Sequence, residues 1–260
     1  MMRSSDGKRF VYEKSPLVEV ICQLRYPPIL SIDTKTPADF QDTVRESFPR
    51  YQRNVEKGKD GEEVRNHAFI SEDGGYKLSL TRSFIALSTM RYTNWEDFAL
   101  MLDEPLGQFI RLYRPAYFER VGLRYVNAVN RTRLELQGRR WNDLFQPQYL
   151  GVLDDDGVDE TQVNQCSVDV QMRLDERAQL KLHAGPGRLS RTVKTREGLR
   201  NIQDPEVHFI FDQDLYAGGN IKLPGVMETL SSLHRHADRL FSEAITDVLH
   251  TAMEPVEVSA

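Results

Sequence analysis

The residues best suited to bind something lie in the segment FERVGLRYVN, 118–127. Read as a strand, it sets Arg120, Gly122, Arg124 and Val126 on one face. Glu119, Val121, Leu123, Tyr125 and Asn127 fall on the other. Two guanidinium groups flanking a glycine can receive an anion: the glycine permits close approach, and the arginines supply planar donor forks. In the segment LVEVICQLRY, Glu19, Gln23 and Arg25 share a face in the same way. If the two segments are neighbours, Glu19 can pair with Arg120 or Arg124. The same residues then form either an internal ion-pair network or a polar face lined for a ligand.

A second cationic group lies in GPGRLSRTVKTREGLR, which reads as a long loop from Gly185 to Asn201. Arg188, Arg191, Lys194, Arg196 and Arg200 could follow a phosphate backbone, or simply be solvated. No aromatic residue is interleaved among them, so base stacking is not indicated. The spacing is not that of a phosphate-binding Walker loop.

Other chemistries find little support. The acidic stretch DDDGVDE, 154–160, lacks the alternating ligands and distal glutamate of a calcium loop. His234 and His236 stand two apart on an expected helix, so they diverge by roughly 160° and cannot share a metal. There is no C-x-x-C, H-E-x-x-H or G-x-S-x-G motif. No metal, cofactor or catalytic residue is therefore assigned. A nucleophile assembled from distant segments stays open, because a triad need not be local in sequence.

Composition narrows the partners. With 260 residues and a net charge of −5, the chain has a full-sized core and no global attraction to nucleic acid or anionic membrane. The two cysteines, Cys22 and Cys166, fit buried reduced thiols, not a disulfide framework. The opening MMRSSDGKRFVYEKS has no apolar signal core, and no apolar run approaches the roughly 20 residues of a membrane helix. A cytoplasmic location is the expectation.

These residues must be positioned by regular elements. Residues 1–9 read as loose. A strand follows Pro16 and ends at Pro27 and Pro28. Residues 37–53 predict a helix capped by Thr36, and 54–65 a loop. Segments 67–71 and 76–81 flank EDGG as a hairpin, and 83–91 is a further strand. Asn94 caps a helix whose apolar face runs from Trp95 to Tyr113, with a kink expected at Pro105 and an end at Pro115. After the 118–127 strand come a short helix over 139–150, a hairpin across DERA and a strand over 207–212. A turn at Gly218–Gly219 then leads to a long helix over 225–253.

The resulting order, β-α-β-β-β-α, occurs twice. Leu24-Arg25-Tyr26 in the first long strand is echoed by Leu123-Arg124-Tyr125 in the second. The sequence thus predicts an α+β fold with an internal duplication: residues 10–116 and 117–255 form two halves of one globular unit. Antiparallel sheet would carry long helices on one face, in the TATA-binding-protein-like or helix-grip manner.

Three segments, PLVEVICQLRY at 16–26, ERVGLRYVN at 119–127 and LHRHADRLFSEAITDVLH at 233–250, carry a resemblance. Together they resemble a sporadically distributed family of uncharacterised prokaryotic proteins of about this length. That family brings no activity or functional residue. Its patchy distribution implies accessory loci of the defence or toxin–antitoxin type. The expectation is a non-enzymatic binding or protein-interaction module with a protein partner. Nucleic-acid or nucleotide binding through the arginine-bearing face and the basic segment is the alternative.

Overall fold

A computed structural model describes residues 9–57, 61, 63–195 and 198–258. The expectation for residues 1–8 lies outside them. The first half holds β1 (Arg9–Tyr12), β2 (Leu17–Arg25), α1 (Leu30–Thr34), α2 (Ala38–Val44), β3 (Arg50–Lys57), β4 (Glu63–Ile70), β5 (Tyr76–Leu80), β6 (Phe84–Thr89) and α3 (Trp95–Tyr113). The second holds β7 (Phe118–Val129), β8 (Val168–Arg173), β9 (Ala178–Gly187), β10 (Ser190–Thr195), β11 (Gly198–Gln203), β12 (His208–Ile221), α4 (Val226–Ala244), α5 (Asp247–Ala252) and β13 (Pro255–Val258).

Nine strands form one antiparallel sheet in the order β3-β4-β5-β6-β2-β7-β12-β9-β8. In each half the first strand of this sheet pairs with the last strand before the long helix, β2 with β6 and β7 with β12. The two first strands then pair with each other. The two segments whose residues echo each other in the sequence thus meet at the β2–β7 seam. Gln23 lies opposite Gly122 there, and the echoed arginines Arg25 and Arg124 each follow two residues later.

The long helices cover one face of the sheet. In α4 the buried residues Val226, Leu230, Leu233, Ala237, Phe241 and Ala244 recur every three or four positions, which makes one apolar stripe. Asn94 caps α3, its Oδ1 accepting from the Asp97 backbone N–H at 2.8 Å. The helix runs unbroken through Pro105 and ends where Arg114 turns left-handed at φ 46°. Beneath the helices lie Val20, Cys22 and Leu24 of β2 and Val121 and Leu123 of β7, with Phe209, Phe211 and Leu215 of β12, all buried.

Several expectations need correction. The helix predicted over 37–53 stops at Val44 and has no side-chain cap at its start. Pro49 has no N–H to continue it, and Arg50 opens β3 instead, holding the Ser71 carbonyl at 2.7 Å. The expected loop over 54–65 is therefore largely strand: β3 pairs with β4 from Arg50–Ile70 to Lys57–Glu63. It is a polar sheet edge, which explains its loop-like composition. The expected helix over 139–150 is a series of 3-10 turns. The basic segment is not a loop: β9 runs to Gly187, and β10 and β11 form a separate antiparallel hairpin. The strand expected to end at Asp212 continues through Gly218 to Ile221.

The last helix is also interrupted. Ile245 is drawn into a bridge with Phe145, the Gln146 N–H donates to the Ala244 carbonyl, and the Thr246 N–H to the Leu144 carbonyl. Thr246 then caps α5. These bonds take backbone groups that a continuous helix would have used.

Candidate functional site

The uncovered face of the sheet carries the first set of predicted residues. Glu19, Gln23 and Arg25 come from β2, and Arg120 and Arg124 from β7. The structure brings these two strands side by side, with Arg25 opposite Arg120. The partners of the arginines are supplied by β12. Arg124 donates from Nε to Asp212 Oδ1 at 2.8 Å and from Nη2 to Oδ2 at 2.5 Å. Arg120 donates to Asp214 at 2.5 Å and lies 4.7 Å over the Tyr216 ring. Hydrogen bonding to Asp212 raises the Arg124 pKa, and the nearby charges of Asp212, Asp214 and Glu19 add to the effect.

Glu19 thus acts on Arg124 through its field, and the direct salt-bridge partners are aspartates the sequence reading had passed over. Gly122 permits a close approach, but the group that approaches is the Arg120 guanidinium. A Cβ there would sit 2.2 Å from Arg120 Nη1. A groove of about 480 Å³ lies along this face, with Arg25 and Lys181 among its lining residues. Arg25 donates to Gln23 at 2.8 Å, and Lys181 stands 5.8 Å over Tyr216. On this face Arg120 and Arg124 are thus paired to aspartate, whereas Arg25 and Lys181 contact an amide and a ring.

Of the second set, Arg188 follows β9 and donates to the Asp204 carbonyl at 3.3 Å. Arg191 and Lys194 lie on β10 and Arg200 on β11, whereas Arg196 falls outside the described residues. Among the described residues the hairpin is not paired with the nine-stranded sheet, so the two cationic sets are not joined through shared pairing.

The histidines diverge as expected. His236 meets Asp175 at 2.8 Å, and His234 turns inward. Among the described residues no group of three or more His, Cys, Asp or Glu could hold a metal ion. Both cysteines are free; burial pushes the Cys22 thiol up to about 12. No helix among the described residues is long and apolar enough to cross a membrane.

A different site lies on the covered face. A cleft of about 550 Å³ opens between β1, the start of α3 and α4, with β7 and β12 at its floor. Four polar side chains reach it from positions where neighbouring strand and helix residues are apolar: Tyr125, Asn127, Gln213 and His234. The Tyr125 hydroxyl meets His234 Nδ1 at 2.9 Å, and the His234 ring stacks on Trp95 at 4.8 Å and 11°. Burial, with Tyr92 next to it, pushes the Tyr125 phenol well above the usual tyrosine value, so it stays neutral at ordinary pH.

Gln213 is 1% exposed and donates to the Ala237 carbonyl of α4 at 3.3 Å. Asn127 donates to the Phe211 carbonyl at 3.4 Å. These are long contacts for groups so deeply placed, in a core where burying an amide is costly. The signal was present in the sequence, because alternation already put Tyr125 and Asn127 on the face of Val121 and Leu123. Gln213 could not be placed so, since its strand was expected to end one residue earlier.

No family model matches the chain, and no curated protein matches it. Among solved structures, the di-domain ARO/CYC StfQ from the steffimycin biosynthetic pathway aligns over 91% of this chain and 96% of its own, at 11% identity and a TM-score of 0.17. No shared ligand or activity follows at that level.

Proposed function

We propose that this chain is a binding protein that takes a small molecule into the cleft on the helix-covered face. The observation that carries the reading is the convergence of Tyr125, Asn127, Gln213 and His234 on one cleft, in a layer that is mostly apolar core. Ligand sites combine apolar walls with a few placed polar groups, and the volume of about 550 Å³ falls in the range of such sites. The polar groups come from β7, β12 and α4, elements fixed by the sheet and by the apolar stripe of α4, so the site is preformed.

The test is a fragment library screened by saturation-transfer NMR against the wild-type protein and Gln213→Leu. That substitution keeps an apolar residue's bulk while removing the amide. The expected result is a set of fragments that compete with one another and lose binding in the variant. An absence of mutually competing fragments, or fragments indifferent to Gln213→Leu in a variant that still unfolds cooperatively, would sink the reading.

A further inference from the structure

The walls of the cleft say more than its floor. Five aromatic side chains line it: Phe10, Tyr12, Tyr92, Tyr125 and Phe241. They meet in perpendicular pairs. Tyr12 and Phe241 have ring centroids 6.4 Å apart at 79°, and Tyr92 and Tyr125 stand 5.8 Å apart at 89°. One pair joins β1 to α4, and the other joins the segment before α3 to β7, so the rings come from separate sides of the cleft. These rings give the cleft an aromatic lining from more than one wall, and aromatic π-faces attract alkylammonium groups. Two carboxylates, Glu13 and Asp238, also line the cleft, against one arginine, Arg133. Glu13 and Asp238 are both exposed, which places their charges toward the solvent side of the rings.

We infer that the cleft binds a small organic cation, with an alkylated ammonium group seated among Tyr12, Tyr92, Tyr125 and Phe241 and carboxylates on the approach. This rests on the binding reading above and names its ligand class. A metal ion does not fit: the cleft lining has only two carboxylates, and among the described residues no group of three or more His, Cys, Asp or Glu could hold one. An uncharged aromatic molecule would use the same walls but gain nothing from Glu13 or Asp238. That difference separates the two in experiment. The polar floor of Asn127, Gln213 and the Tyr125–His234 pair then orients whatever polar group the cation carries at its other end.

The probe is choline, titrated calorimetrically against the full chain beside its uncharged isostere, 3,3-dimethyl-1-butanol. Choline is expected to bind about tenfold more tightly than the isostere, the scale of a desolvated cation–π contact. Tyr92→Leu keeps an apolar wall but removes one ring; it should weaken choline by about tenfold and leave the isostere unchanged. Asp238→Asn, on the exposed side of α4, should weaken choline a few-fold, with cooperative urea unfolding checked in the same variant. Equal binding of the two probes would overturn the inference, as would choline binding that is indifferent to both substitutions. If choline fails while neutral fragments still compete for the cleft, the ligand class is wrong and the binding reading stands. If neither probe nor any fragment binds, both fall.

Discussion

Replacing Gly122 with alanine tests whether the uncovered sheet face is held by the Arg120 network. Gly122 lies in an ordinary strand pairing with Tyr216 and Gln23, without positive φ, so alanine suits its backbone. In a strand, alanine would by itself stabilise by about 0.5–1 kcal/mol, because glycine has more conformational freedom to lose. The obstacle is Arg120. The new methyl would lie 2.2 Å from Nη1 and 2.7 Å from Cζ, so the guanidinium must leave. With it goes a partly exposed ion pair to Asp214, worth about 0.2–1 kcal/mol. The contact over Tyr216 goes too, worth about 0.5–1 kcal/mol. The expected net change is a loss of about 0.5 kcal/mol. In an Arg120→Ala background nothing blocks the methyl, and the same substitution should instead gain about 0.5–1 kcal/mol. A double-mutant cycle read from urea midpoints, with unchanged slopes, should therefore show coupling of about 1 kcal/mol or more. Additivity within about 0.3 kcal/mol would refute the placement of Arg120 over Gly122.

Two further outcomes follow from the geometry. Asp175 accepts from the Arg177 and Ala178 backbone N–H groups at 2.7 Å each and meets His236, and these bonds, the backbone ones first, lower its carboxyl to about 2. A depressed carboxyl contributes stability above its unfolded value near 4 and loses it as the pH falls through 2, so Asp175→Asn should lower stability at neutral pH, flatten the stability curve across about pH 4 to 2 and converge with the wild type at the acid end. An identical acid limb in the two proteins would contradict this. Phe241→Ala should cost about 3 kcal/mol in urea unfolding. The low end of the usual range applies because Phe241, though packed edgewise on Phe211 and Tyr12, borders the cleft. A cost under about 1 kcal/mol would mean that α4 does not pack on the sheet as described.

What was legible in the sequence follows the physics of each element. Helix α3 could be placed from Asn94 to Pro115 because a cap, an apolar stripe and a terminal proline all agree. Strands β2 and β7 could be placed because they are central, and their alternation is clean. Strand β3 could not: it is a sheet edge of charged residues, and only its partner β4 shows that it is extended. The break at Ile245 was invisible for a similar reason, since the bridge that causes it reaches back to Phe145, a hundred residues away. Site residues divide in the same way. Arg120, Gly122 and Arg124 were singled out from one strand, but their partners Asp212 and Asp214 depend on a strand whose length was underestimated. The cleft needed Tyr125, Gln213 and His234 to be brought together from three elements, which no local pattern encodes.

The ribbon formed by β1 and β13 has a consequence for access. It pairs Arg9 with Val258 and Tyr12 with Pro255, and Tyr12 adds a contact to His250 at 3.0 Å. This is the most sequence-distant pairing in the fold, closed by four residues on each side. Such a pairing has few backbone bonds to offset the closure of a long loop. Phe10, Val11 and Tyr12 of that ribbon are also a wall of the cleft. A guest that packs against those rings would also hold the ribbon closed, and should slow amide exchange in β13, which does not line the cleft.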